Sequence, residues 1–464
     1  MGGRRRYGGL GPAVAVAPGA RVDKFEVFFD LVFVVSFFII TRATAAEISG
    51  RQLLHAGLVL AVLWWCWVVH SMAATRLRLG EGFVPVLMVA AMASLFAFAL
   101  ALPQAFSPPQ GDLAGPLVVA VSYVVVRGVH VVLFLRAARD NPPDRRHLLH
   151  FLPELLASTV LLLAAALAPV AIEDSGRAGL VRDVLWILVV LVQYGTGLVA
   201  GTWSWVVTSA EHWTERYDLI LIIALGESII SVGVGGNVLG KPVTWPGVVA
   251  ATFGIVFTAA LWWAHFDLIG PAARIALHAA AGRRRATMAR DAYAYLYLPM
   301  IAGIILFAIG SEELVAAVTD PASGIGEHAH ASAVPLFFGG VICYLASNML
   351  FQLRTLHTLS WSRVGVLVVL AAAMPVAAGL SALGALALLT VICVGLIAVE
   401  MVTLGGSRQA LRQAVHDERV NHEAQEAAWR TRWHEDEPDS TPGERPDSTP
   451  GAPLQGSDSP PGAS

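Results

Sequence analysis

The sequence predicts an all-α polytopic membrane protein of about twelve transmembrane helices with both termini in the cytoplasm. Three observations carry this prediction. Of 464 residues, 56% are hydrophobic and only 14% charged, outside the composition of soluble domains. Apolar runs of the ~20 residues needed to cross ~30 Å of hydrocarbon recur to about residue 402. Lys and Arg then fall on alternating sides of those runs, as the positive-inside rule requires.

Taken in order, the first span, 25–45, carries Glu26 and Asp30 four residues apart, hence on one face in its cytoplasmic third. The second, 52–72, contains Trp64–Trp65, and the third, 82–102, is apolar throughout. The fourth, 115–136, places Arg127 and His130 on one face near its middle. The fifth, 149–172, has Glu154 after Pro153 near its inner end. The sixth, 180–201, holds Gly197 and Gly201, a spacing suited to close helix packing. The seventh, 217–235, follows Glu215 and Arg216 and is interrupted by Glu227 and Ser228. Eleven residues make nearly three turns, so Arg216 and Glu227 share a face that reads as a polar track inward. The eighth, 246–268, contains Trp262–Trp263 and ends on Asp267. Spans at 290–310, 334–354, 363–380 and 383–402 complete the set.

With the N-terminus inside, the cytoplasmic segments hold Arg4 to Arg6, Arg21, Lys24, Arg76, Arg78, Arg136, Arg139, Arg145, Arg146, Arg216, Arg274, Arg283 to Arg285, Arg290, Arg354, Arg363, Arg408 and Arg412. The outside segments hold Arg42, Arg51, Arg177, Arg182 and Lys241. The expected location is the bacterial inner (plasma) membrane. The front of the first span is broken by Glu26 and Asp30, so a cleaved signal peptide is not expected. Residues 1–21 read as a disordered basic N-terminus and 22–404 as the helical bundle. Residues 405–434 read as a charged cytoplasmic segment that can form a helix, and 435–464, where "PDSTPG" occurs twice, as a disordered Pro/Ser/Gly-rich tail.

Two weak internal matches bear on duplication. Phe29-Asp30-Leu31 in the first span answers Tyr217-Asp218-Leu219 in the seventh, and each following span carries a Trp pair. Six helices separate the copies, which would make two parallel six-helix repeats; coincidence among abundant aromatics explains the matches equally well.

An ionisable residue at bilayer depth costs at least ~2.5–3.5 kcal/mol unless paired or wetted. Two readings stand for Arg127: helix glue, by pairing with Asp30 or Glu26, or a place beside a central cavity with His130. Glu26 lies close enough to the interface for water to satisfy it. Glu227 has no cation at matching depth in the second half, where the tenth span offers Asn348 and Gln352, so a protonatable role is the stronger reading. His328 and His330, with Glu327 and Asp320, sit in an outer loop and read as solvated residues rather than metal ligands. Gly233 to Gly236 lack a nucleotide motif. Cys66, Cys343 and Cys393 all fall in spans and form no CxxC. No nucleophile and base pair stands out, so no enzyme activity, cofactor, metal or nucleic-acid partner is expected. The expected partners are the lipid bilayer and a small solute or ion.

"FEVFFDLVFVV" at Phe25 to Val35 and "ERYDLILIIALGESI" at Glu215 to Ile229 together resemble the bacterial low temperature requirement protein A family, over roughly residues 20–400. The resemblance places Glu26, Phe29, Asp30, Glu215, Arg216, Gly226, Glu227 and Ser228 at the family's characteristic positions. The family more often has Gly where this chain has Asp218, which argues against a family-wide role for Asp218. The resemblance implies a fold and no substrate. The residues support a secondary transporter coupled to protons, with Glu26, Asp30, Arg127, His130, Glu215, Arg216, Glu227 and Ser228 as the functional polar set. The alternatives are a cation channel, since "FFDLVFVV" is faintly similar to the "FSDAVFAI" of a two-repeat potassium-channel family, and a structural or assembly membrane protein.

Sidedness can be tested with single cysteines at Ala281 and Ser332 in a background lacking Cys66, Cys343 and Cys393. An impermeant thiol reagent applied outside should label position 332 and spare 281; the reverse pattern inverts the topology.

Overall fold

The computed structural model describes residues 22–77, 82–106, 112–140, 142–199, 205, 207, 209–235, 244–319, 332–406, 408–417, 420 and 424. Two compact units emerge, one running to Leu411 and a second beginning at Arg412. Of the second, residues 412–417 are helical. The basic N-terminus to residue 21, the tail from 435, and His328, His330, Glu327, Asp320, Gly201 and Gly236 lie outside the described residues.

Every regular element of the described residues is helical: α1 (Lys24–Ala45), α2 (Gly50–Ala74), α3 (Val84–Ala105), α4 (Ala114–Asp140), α5 (Pro142–Ala171), α6 (Ser175–Val199), α7 (Ala210–Ile230), α8 (Trp245–Phe266), α9 (Ile269–Ala279), α10 (Gly282–Met288), α11 (Tyr297–Thr319), α12 (Ala333–Leu356), α13 (Trp361–Ala377) and α14 (Ala382–Thr403). Two π-helical turns, Ser231–Gly235 and Ala289–Tyr295, follow α7 and precede α11. In hydrocarbon each backbone polar group needs an internal partner, which selects helices. Their starts are fixed by side-chain caps: Asp23 accepts from Phe25 N, Ser49 from Gln52 N, Ser209 from His212 N, Thr244 from Gly247 N and Ser381 from Gly384 N.

Among the described residues ten helices are long and apolar enough to cross a membrane. The expected count of twelve is not reached on that measure, because α7 carries Glu215, Arg216, Asp218 and Glu227 and α13 has 17 residues. A 17-residue helix is ~26 Å long. The run 269–288, read from sequence as loop, is instead α9 and α10. α9 buries Ile269, Gly270, Ala273 and Leu277, a spacing of one helix face. The ninth span also moves: α11 continues to Thr319 and takes Glu312 into the bundle.

The two halves share a pattern of neighbours. α1 touches α2 and α3, α3 touches α4, α4 touches α5, and α6 touches both α5 and α2. In the second half α7 touches α8 and α11, α11 touches α12, α12 touches α13, and α14 touches both α13 and α8. The halves meet where α1 packs on α7 and α11. α11 and α12 approach backbone to backbone: a Cβ on Gly303 would sit 2.6 Å from Gly340 O and Tyr344 N, so any side chain there forces the helices apart. Gly197 faces the Tyr295 hydroxyl and the Trp65 ring.

An aromatic cluster fills the seam between halves. Tyr217 meets Trp67 edge-on at 4.8 Å, Tyr297 at 5.2 Å and Tyr293 at 5.4 Å, and Trp64 stacks on Trp67 at 4.9 Å. Large apolar side chains such as Leu156, Val160, Val170, Val368, Val376 and Val391 are exposed on the outer faces. So extensive an apolar exterior suits lipid rather than water.

Candidate functional site

The seventh helix begins with Ser209 capping His212 N, and this start fixes where the His212 ring and the Arg216 guanidinium point. His212 Nε2 lies 2.9 Å from Glu26 Oε2 on α1. One turn on, Arg216 Nη2 donates to Asp30 Oδ1 at 2.9 Å, and its Nη1 stands 3.4 Å from Glu26. Trp67 Nε1 donates to the same Asp30 oxygen at 2.9 Å, while the guanidinium lies 5.5 Å over the Trp67 ring. All five side chains are buried; Glu26 is 3% exposed, which overturns its reading as an interfacial, water-satisfied residue. The pairing also corrects the expected partner of Arg127: Asp30 and Glu26 are taken by Arg216. Glu215, next to Arg216 on α7, accepts from Val22 N at 3.1 Å and ties the chain entering α1 to α7.

Arg127 instead pairs with Glu154 on α5, and Ser158 Oγ lies 3.4 Å from the same carboxylate. Its guanidinium sits 4.2 Å over the Phe151 ring. Between this pair and the Arg216 cluster stand two imidazoles. His70 stacks on Phe29 with centroids 3.8 Å apart, and His130 is 5.9 Å from His70. Sequence reading singled out His130 and passed over His70, which lies inside the second span and is fully buried.

Glu227 belongs to a separate cluster. The face joining it to Arg216 carries Ile220 and Ala224, both fully buried, so no polar track runs between them. Glu227 Oε1 accepts from Ser231 in the π-helical turn, and its Oε2 has no hydrogen-bond partner. Thr41 of α1 and Glu312 of α11 are the further groups acting on it. Glu312 in turn pairs with Arg42 at the end of α1. Ser228 bonds Leu225 O at 2.7 Å and meets Thr258 Oγ1 at 3.4 Å. π-turns concentrate at functional positions because they leave backbone groups off the regular ladder.

Asn348 and Gln352, the polar residues that the tenth span offers, are engaged elsewhere than at Glu227. Arg363 donates to Glu400 at 2.6 Å and to Asn348 Oδ1 at 2.5 Å; Asn348 Nδ2 is 2.8 Å from His265 Nδ1. His265 Nε2 is 3.1 Å from the Tyr297 hydroxyl, which donates to Asp218 at 3.4 Å. Gln352 Nε2 donates to Thr358 at 3.2 Å. Arg363 and Glu400 could have been noticed as charges inside the last two spans. Asp267 pairs with Arg408. Among the described residues no three His, Cys, Asp or Glu gather as a metal site.

Removing one member of a buried pair strands the other charge, at ~3–5 kcal/mol, while replacing both by apolar groups costs far less. Arg127→Leu should therefore destabilise the detergent-solubilised protein by about that much, and Arg127→Leu with Glu154→Leu should recover most of it. A double variant no more stable than the single would show that Glu154 is not the partner.

The family model described as bacterial low temperature requirement A protein (LtrA) matches residues 21–398. The uncharacterized protein RA0937 of Rhizobium meliloti (strain 1021) is 26% identical over 351 residues, 73% of this chain and 79% of its own. No solved structure matches significantly. The two stretches that carried the resemblance face each other in the fold: Glu26 and Asp30 of the first bind His212 and Arg216 at the head of the second. On this match the chain is a multi-pass membrane protein that belongs to the bacterial low temperature requirement A family.

Proposed function

We propose that this protein is a proton-coupled secondary transporter of the plasma membrane, with Glu227 as the carboxylate that exchanges its proton. The observation that carries the reading is the setting of Glu227: fully buried, held by the Ser231 hydroxyl, with one oxygen unpartnered and a second acid, Glu312, within electrostatic reach. A buried carboxylate that is not neutralised by a cation favours its protonated form and is poised for proton exchange. On this reading the α1–α7 ion cluster closes the cytoplasmic end, α7 and α13 cross with the other ten helices, and both termini are cytoplasmic. The recurring neighbour pattern supports two parallel repeats, and so does the pairing of each half's aspartate with the residue one turn beyond its first Trp: Asp30 with Trp67, and Asp218 with His265 at 3.8 Å. Repeats around a central site are common in transporters. No enzymatic role is part of the proposal.

The test uses the full chain in vesicles with a trapped pH indicator, challenged with inward gradients of a broad metabolite panel. A transporter gives a saturable internal pH change with at least one solute, and Glu227→Gln, which keeps shape and hydrogen bonding, should insert normally and lose the pH dependence. Unsaturating electrical conductance would favour the channel alternative. A full pH response in Glu227→Gln would make this carboxylate structural.

A further inference from the structure

Residues 269–295 carry five arginines, Arg274, Arg283, Arg284, Arg285 and Arg290, and a single acid, Asp291. That acid is already engaged: Arg290 Nε holds one of its oxygens at 2.7 Å and Arg354 of α12 holds the other at 2.9 Å. The acids on the helices packed against α9 are occupied elsewhere. Asp267, which caps α8, pairs with Arg408, Asp218 of α7 accepts from the Tyr297 hydroxyl at 3.4 Å, and Glu215 accepts from Val22 N. Glu211, in the first turn of α7, forms no ion pair with the five arginines. Arg283 and Arg284 are exposed, and among the described residues neither guanidinium meets a carboxylate.

The two side chains stand on a braced hairpin. Gly282 takes a φ of +51°, a left-handed conformation suited to glycine, and turns the chain from α9 into α10. Arg285 then reaches back, donating from Nε to Ala280 O at 2.8 Å and from Nη2 to His278 O at 2.9 Å. The end of a helix leaves such carbonyls without partners. α9 itself is seated on α7, α8 and α12, with Ile269, Ala273 and Leu277 buried.

Exposed tryptophans give the depth of the hairpin. Trp361, 76% exposed, opens α13; two residues on, Arg363 Nη2 donates to Ala264 O at 2.7 Å, which puts the start of α13 level with the last turn of α8. Trp262, in that same stretch of α8, is 42% exposed and stacks on Phe266 at 5.5 Å. Tryptophans gather where hydrocarbon meets headgroups. Since α8 ends at Phe266, the hairpin that begins at Ile269 lies just past that level, at the depth of lipid phosphates.

We infer that the α9–α10 hairpin is a docking surface for the headgroups of anionic phospholipids, with Arg283 and Arg284 as the donors to a lipid phosphate. A guanidinium is a planar fork that matches phosphate oxygens, and basic side chains held at a bilayer surface are drawn to its negative charge. A zwitterionic headgroup offers the same phosphate without net charge, so the anionic lipid is preferred. The inference does not rest on the transporter reading.

The test is native mass spectrometry of the purified full-length protein in neutral detergent, titrated with phosphatidylglycerol and phosphatidylcholine of the same acyl chains. The wild type should retain phosphatidylglycerol preferentially. Arg283→Gln with Arg284→Gln should weaken phosphatidylglycerol binding by roughly fivefold for each arginine removed and leave phosphatidylcholine unaffected. Neither side chain is buried, so this variant should melt as the wild type does. Arg283→Lys with Arg284→Lys, which keeps the charge, should retain most of the preference, and Arg177→Gln, at the exposed start of α6, should change nothing. No preference in the wild type, an unchanged preference in the double Gln variant, or an equal loss in Arg177→Gln would overturn the surface. Glycerol phosphate that displaces phosphatidylglycerol at matching concentration would assign the arginines a soluble phosphate and overturn the lipid assignment.

Discussion

The structure turns on a guanidinium that cannot lose its proton. Arg216 is fully buried near the head of α7, and it must find carboxylates within the protein. It finds Asp30 and Glu26 on α1, at 2.9 and 3.4 Å. That contact sets the rotation of α1 against α7. With α1 fixed, Phe29 lies against His70 and Asp30 is within reach of Trp67. The two halves of the bundle are thus joined by charge at the α1–α7 seam, with the Tyr217 aromatic cluster filling the space beside it.

Three polar clusters follow, and they differ in how completely they are satisfied. In the second half, the chain from Asp218 through Tyr297, His265 and Asn348 to Arg363 and Glu400 links donor to acceptor throughout. Such a network rigidifies a core. The Glu227 cluster and the His70–His130–Arg127 cluster each leave buried polar atoms unpartnered. The Arg363 network leaves no such atom, whereas the Glu227 carboxylate has one oxygen unpartnered and, among the described residues, no cation beside it, which is why the proposed proton exchange falls on Glu227.

Much of this was legible in the sequence. Most of the helices, and the presence of Asp30, Arg127 and Glu227 as charges inside them, follow from hydropathy and charge along the chain. Which charges pair does not, because register along a helix gives depth while pairing depends on which helices are neighbours. Hydropathy alone therefore offers Arg127 the carboxylates that Arg216 binds in the fold. The shared face of Arg216 and Glu227 suggested a polar track, but the residues between them, Ile220 and Ala224, make it apolar. Glu312 was missed because the ninth span was placed too early, across the π-helical turn Ala289–Tyr295, whose altered hydrogen bonding leaves no hydropathy signal. α9 escaped notice because an 11-residue helix with Arg274 in it reads as a basic loop until the packing of Ile269, Ala273 and Leu277 is known.

The claim on which the rest depends is that Arg216 and Asp30 are energetically coupled across the α1–α7 seam. A double-mutant cycle measures this directly: unfolding free energies in mixed micelles for the wild type, Asp30→Asn, Arg216→Met and the double variant. Contacting buried groups should show a coupling energy of about 2 kcal/mol or more, with the double variant less damaged than the sum of the singles. Additivity within about 0.5 kcal/mol would mean that the two residues act independently, and that something other than this ion pair holds the halves together.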